Sequence, residues 1–512
     1  MSEPIDLGSL GLPGWLAFSP VVVQGLAAAG LAWTGGRLLG WMLLWGPRRL
    51  PPGTHWTERA RSGWPAQVAA RNWIVLSVVL APGCAVLING GDGLQIRALA
   101  CILGALAAAS LSLAHVQRVL REVPAPAWPD RLRGMATTWI IFFPFLPIVL
   151  GGVALVPAQV GAWAAAVILA TMLAIFAATR GAGVQLARRI GLATAPDERV
   201  TRVVAGAAAR TGVTPRCVSV APHATANALA FPPGGHLVLT RRLLEVLSDE
   251  ELSAVCMHEL GHLGEPRRLI LLRQSLVVVL AALVGLIPAF SLGPFPPLAL
   301  VSLFLVWTLF VRRLARRLEE RADAVARAHE PEPGAYAAAL ARLYRMNVIP
   351  AVLPGRHTIH PHLYDRMVAA GVTPDYPRPR PPVRRFPLLA VIGTAVALAT
   401  LMAMLAQALE RCAVSSNPWL ATVALTATGL NTPALIRLAQ CADATDDEEL
   451  AVARWFAATR LDPHRTDVAA YAVMRLALIG RCDEAEALFA TLPPGTERAQ
   501  AREWIDFCHS PA

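Results

Sequence analysis

The sequence predicts a multi-span α-helical membrane protein with a cytoplasmic α+β domain and an all-α C-terminal tail. Three observations predict it. First, 55% of the 512 residues are hydrophobic, only 16% are charged, and mean hydropathy is +0.48, whereas soluble chains carry about 25% charged residues. Second, apolar stretches alternate with arginine-rich loops. Third, two segments of soluble character, 180–273 and 312–385, interrupt the apolar ones.

Eight stretches approach or reach the ~20 residues needed to cross a bilayer: 16–36, 73–89, 96–115, 138–156, 159–179, 275–291, 296–311 and 386–407. The organisation expected is five spans in 1–180, a first soluble part in 181–273, and a spanning or re-entrant hairpin in 274–311. A second soluble part in 312–385, a last span in 386–408 and a tail in 409–512 complete it. Glu3 and Asp6 stand where a signal peptide would be basic, so the first stretch is expected to be retained. All 46 basic residues are arginine, giving a net charge of +11 and suggesting a GC-rich, bacterial genome. They cluster beside the apolar stretches, which points to a lipid bilayer as partner and not to nucleic acid. Arginines between the first and second, third and fourth, and fifth and sixth spans put those loops inside. The N-terminus and tail then face outward from an inner (plasma) membrane. Arg97, near the outer end of the third span, is the exception, and snorkelling or function would explain it.

The tail holds four of the eight cysteines, Cys412, Cys441, Cys482 and Cys508. In an oxidising compartment they are candidates for two disulfides, with three possible pairings. Phe456 and Phe489 occupy corresponding places in two helical segments 33 residues apart. That offset is close to the tetratricopeptide period of ~34, so the tail reads as repeat-like and a candidate site for a protein partner, with a plain helical bundle as the alternative.

The chemistry concentrates at His258-Glu259-Leu260-Gly261-His262, the pattern H-E-x-x-H. Residues four apart share a helical face, so both imidazoles can address one metal ion, and Glu259 can reach water beside it. Ser248 and Glu251 form a capping-box pattern ahead of it. Zinc in a peptidase takes three protein ligands. Glu319 and Asp323 are also four apart, and can serve as third ligand and as acceptor for a histidine N–H. Without the histidines, they would read as a surface charge cluster.

H-E-L-G-H, followed some sixty residues later by Glu319-Glu320-Arg321-Ala322-Asp323, resembles the membrane zinc metallopeptidases that include HtpX and the CAAX prenyl endopeptidases. Asn227-Ala228-Leu229-Ala230, the run Pro233–Thr240 and His360-Pro361-His362-Leu363-Tyr364-Asp365-Arg366 resemble further motifs of that family. The resemblance covers about Arg199 to Met367. It implies a gluzincin-like fold holding one zinc ion, with His258, His262 and Glu319 as ligands, Glu259 as general base and Asp323 behind a histidine. It also implies a substrate-aligning edge strand at Asn227 and Ala228. His360, His357, Tyr364 and Arg366 are open candidates for the oxyanion donor, and His360-Pro361 equally reads as a helix start. Other histidines (His223, His329, His362) read as surface residues. Five preceding spans are closer to the CAAX enzymes, while the cysteine-bearing tail is expected in neither.

The function expected is hydrolysis of polypeptides, those of membrane or membrane-associated proteins, on the cytoplasmic side, as in protein quality control. A sensor protease commanded by its outer tail is the alternative, and a catalytically silent scaffold a third reading.

Overall fold

The computed structural model describes residues 19–88, 94–122, 127–354, 361–383, 385–413, 432–445 and 447–509. His357 and His360 lie outside them. The chain opens with α1 (Ser19–Arg48), α2 (Trp56–Ile88), α3 (Leu94–Arg121), α4 (Trp128–Thr137), α5 (Phe145–Leu155) and α6 (Ala162–Thr179). Next come α7 (Ala182–Arg189), α8 (Glu198–Thr211), β1 (Cys217–Ala221), β2 (Ala228–Phe231), β3 (His236–Thr240), α9 (Arg241–Val246) and α10 (Asp249–Leu263). They are followed by α11 (Arg267–Val284), α12 (Leu286–Ala289), α13 (Phe295–His329), α14 (Ala335–Met346), α15 (Leu363–Ala369) and α16 (Arg385–Ala413).

Contacts group the chain into two units. One comprises Met1–Gly35, Trp73–Ala109 and Ile392–Ala512, the other Gly36–Asn72 and Ser110–Val391. In the first, a Cβ added at Gly104 would run into the carbonyl of Gly25, so small residues let α1 and α3 approach closely. Trp73 donates its indole N–H to the Ala32 carbonyl at 2.7 Å. The tail in this unit contains five helices among its described residues: Thr432–Asp443, Glu448–Leu461, Thr466–Leu478, Cys482–Thr491 and Thr496–Cys508. Their cores are built from Leu435, Leu438 and Trp455, and from Val473, Leu476, Phe489 and Ile505. Cys482 and Cys508 form a disulfide. Cys441, expected to pair, is unpaired among the described residues, and the side chain of Cys412 lies outside them.

One expected span is changed in shape. Among the described residues three helices are long and apolar enough to cross: 97–121 of α3, all of α6, and α13. The stretch read as one span over 138–156 is bent by 81°. A π-helical turn at Thr138–Phe142 ends where Phe143 leaves helical geometry ahead of Pro144, whose ring disfavours helix for the residue before it. The sixth expected span is also interrupted, since α11 stops at Val284 and a short turn follows through Leu292. The apolar helices make this a membrane protein.

The second unit holds a three-stranded sheet of order β1-β3-β2. β1 runs parallel to β3, pairing Cys217 with His236, and β2 runs antiparallel, pairing Ala228 with Leu239. The Pro232–Gly235 turn returns the chain, with Gly235 at φ +68° where L-residues are strained. All five residues of β3 are buried, as befits the central strand. Thr240 ends it and caps α9, its hydroxyl accepting from the Leu243 amide. Val200, Val204, Leu237, Leu239, Leu252, Met257, Leu260 and Leu340 form a common core. Burying each large aliphatic side chain contributes about 1.5–3 kcal/mol.

Candidate metal centre

Helix α10 starts where its sequence says it should. Ser248 accepts from the Glu251 amide and Glu251 accepts from the Ser248 amide, closing the capping box. Leu252, Met257 and Leu260 are fully buried and anchor one face. The other face presents His258 and His262, whose rings lie 5.0 Å apart and nearly perpendicular.

Glu319 comes from α13. Its expected place was a separate soluble segment after a span, but α13 is one helix of 35 residues, running without a break from Phe295 past Asp323. Gly261 lets it dock. A Cβ there would sit 3.1 Å from the Ala322 Cα and 3.3 Å from the Val325 Cβ, so the glycine, at about 1 kcal/mol of helix propensity against alanine, permits close packing of α10 and α13. Arg321 adds a bond to the Gly264 carbonyl at 3.2 Å.

The result is a compact donor set. His258 Nε2 is 3.6 Å from Glu319 Oε2, and His262 Nε2 is 3.5 Å from Glu319 Oε1. Ligands ~2.0–2.1 Å from a tetrahedral zinc ion lie about 3.3–3.5 Å apart, so these three residues fit that ion. Each ring also has its second nitrogen engaged. His258 Nδ1 lies 3.1 Å from Asp323 Oδ1 and 2.8 Å from the Tyr336 hydroxyl, and His262 Nδ1 lies 2.9 Å from Glu265 Oε1. Ionised carboxylates only accept, so each Nδ1 donates to its own carboxylate, and each Nε2 faces Glu319 as the atom that would bind an ion. Burial disfavours charge on either ring. The Asp323 and Glu319 contacts of His258 and the Glu265 and Glu319 contacts of His262 outweigh it, raising His258 and holding His262 up at about 10. The pocket thus favours positive charge at its centre, which a divalent cation supplies. Glu259 is buried and acts electrostatically on both rings.

Behind the histidines lies a closed polar network. Tyr336 donates to Asp323 Oδ1 at 2.7 Å, and Arg366 donates to Asp323 Oδ2 at 2.8 Å and to the Tyr336 oxygen at 2.7 Å. Glu330 fixes the start of α14, accepting from the amides of Gly334 at 3.0 Å and Tyr336 at 2.8 Å. Arg366, an oxyanion candidate by sequence, is corrected to an interior role. It is buried, 6% exposed, and its guanidinium is spent on Asp323 and the tyrosines. Burial works to lower its pKa, but the neighbouring Tyr336 oxygen and the ion pair with Asp323 raise it.

Asn227 is exposed beside β2, with both backbone groups bonded to Thr240: its amide donates to Oγ1 at 2.9 Å and its carbonyl accepts from the amide at 3.0 Å. Ala228 begins the edge strand. All three histidines read as surface residues are partly buried instead. His223 packs on Phe142 and accepts from the Thr225 amide at 3.2 Å, and burial lowers its pKa to about 4. His362 accepts from the Leu353 amide at 3.2 Å. His329, also half-buried, bonds the Val325 carbonyl one turn back at 2.9 Å.

Sequence reasoning missed Glu265 and Tyr336. Glu265 had a signal, lying three residues past His262 where the helix ends. Tyr336, 78 residues from His258, had none.

Residues 194–372 match the family described as Peptidase family M48. The chain is 31% identical over 166 residues to a Protease HtpX homolog of Aeropyrum pernix, an alignment covering 29% of this chain and 52% of that protein. It therefore spans about half the length of this curated relative. Over this region the chain is similar to the HtpX-like membrane metallopeptidases of family M48.

Proposed function

We propose that this chain is a membrane-embedded, zinc-dependent endopeptidase that hydrolyses membrane or membrane-associated proteins on the cytoplasmic side. The observation that carries the reading is the meeting of His258, His262 and Glu319, with both Nδ1 atoms engaged so that three donor atoms converge. Those residues would hold the ion. Bound there, zinc lowers the pKa of water toward ~7 and polarises a carbonyl.

The remaining steps belong to the protein. Glu259 takes a proton from the attacking water and passes it to the departing amine nitrogen. Asp323, Tyr336 and Glu265 hold the rings in one tautomer and orientation, so ligand geometry is set before substrate arrives. The edge strand β2 leaves its outward row of backbone groups for an extended substrate, aligned from Ala228 by strand addition, with the exposed Asn227 side chain beside it. The arginine-rich loops support the cytoplasmic placement of this unit, and the Cys482–Cys508 disulfide supports an outward tail suited to a protein partner.

The test compares cells carrying wild type and Glu259→Gln, together with the zinc content of the two purified proteins. The variant should keep its zinc and lose about 10²–10⁴-fold in cleavage rate, and membrane proteins degraded by wild type should accumulate. Identical membrane proteomes with a zinc-loaded site would overturn the proposal.

A further inference from the structure

The outward row of β2 is closed at both ends, and a side chain closes one of them. Asn227 turns both backbone groups to Thr240. Across a planar trans peptide the N–H and C=O point opposite ways, so the Ala226 carbonyl and the Ala228 amide turn away from β3. Leu229 stands opposite Val238, and the alternation of an antiparallel pair turns Ala230 outward as well. Ala226, Ala228 and Ala230 therefore share one row. Among the described residues, Ala228 and Ala230 have no partner on that side.

Ala226 is different. Asn347 Oδ1 accepts from its amide at 3.2 Å, and Asn347 Nδ2 donates to its carbonyl at 2.8 Å. A carboxamide presents one acceptor and one donor side by side, which is what a paired strand residue would present there. Ala226 and Asn347 are both buried, so the pair is dry and each satisfies the other. At the opposite end of the row comes Pro232. It has no N–H to offer, and its carbonyl accepts from the Gly235 amide at 3.3 Å. The row open to a substrate is thus Ala228 and Ala230.

Satisfying Ala226 would by itself be a structural duty. The setting of Asn347 adds to it. It caps the end of α14, the helix whose first turn carries Tyr336 to His258. The next residue, Val348, has φ +55°, a strained conformation for a β-branched side chain. Gln67 of α2 holds it by donating to the Val348 carbonyl at 2.9 Å, and the Ile349 amide bonds back to the Tyr344 carbonyl at 2.8 Å. Backbone strain held in this way collects where position matters to function. One helix therefore ties the metal centre to the end of the substrate row. Resting on the peptidase reading above, we propose that Asn347 is a positioning residue. Its carboxamide stands in for a substrate residue opposite Ala226, so an extended polypeptide pairs only with Ala228 and Ala230 and stops in a fixed register relative to the metal centre.

The test uses the full-length, zinc-loaded protein in detergent with β-casein as an unstructured probe. The casein site cut fastest is resynthesised as a peptide, and its residues are N-methylated one at a time. Outside the scissile bond, wild type should lose about fivefold in kcat/KM at two positions spaced two residues apart. Each of them forfeits one hydrogen bond to the carbonyl of Ala228 or Ala230, and the spacing is the same for either strand direction. Asn347→Ala frees Ala226, so a third position should become sensitive, two residues further along. A merely structural role would slow every peptide alike and leave the pattern unchanged, and that result overturns the proposal. A wild-type scan with three or more sensitive positions in step overturns it too, and decides the matter if the variant fails to fold. No casein cleavage by zinc-loaded wild type would instead sink the peptidase reading, and this inference with it.

Discussion

The metal-centre region and the C-terminal tail solve the same problem, holding helices together, by different means. Around His258 the charges are mutually committed: Asp323 is shared by His258, Tyr336 and Arg366, of which the last two are shut from water. In the tail, ion pairs such as Arg481–Glu484 and Arg465–Asp467 sit on the surface, and a covalent bond between Cys482 and Cys508 supplements the apolar cores. The difference teaches where single substitutions will be felt. A buried network gains little net energy over an apolar core, but removing one member strands another charge in low dielectric. An exposed pair can be broken with little consequence.

The largest expected effect comes from Asp323→Asn. It leaves Arg366 buried without its counter-ion and should cost about 3–5 kcal/mol, read as a lowered melting temperature of the purified protein, together with weaker zinc retention. An unchanged melting temperature would mean that the network is not the dry, interlocked unit described. Next is Cys482→Ser in the tail, expected to cost that domain about 2–4 kcal/mol while zinc affinity stays at the wild-type value. Zinc loss on breaking this disulfide would erase the contrast between the regions. Glu265→Gln should follow. It keeps a hydrogen-bond acceptor for His262 but removes the charge, so zinc affinity should fall about 10–100-fold, by competition with a chelator, with little change in melting temperature. The smallest effect belongs to Arg481→Gln, less than about 1 kcal/mol. A larger loss would show that the tail's surface ion pairs act as a network.

The legible part of this centre lay wherever one helix supplied two groups. His258 with His262, Ser248 with Glu251, and Glu319 with Asp323 are spaced at one turn, and helical periodicity forces such pairs onto a common face. The shape of the fourth stretch was less legible. Apolarity over 138–156 is real, but hydropathy does not register the 81° bend ahead of Pro144.

What the sequence by itself determined is a membrane protein with a two-histidine helix, a carboxylate pair for it, and arginines clustered beside the apolar stretches. Each of these depends on composition or on spacing within one segment, which local geometry converts directly into a face or an end. Only the tertiary structure decided that α13 carries Glu319 to within 3.5 Å and 3.6 Å of the two rings, that Tyr336 closes the network, and that Arg366 is spent inside it. Those are meetings between segments dozens of residues apart, set by close packing such as that of Gly261 on Ala322, which no local pattern encodes.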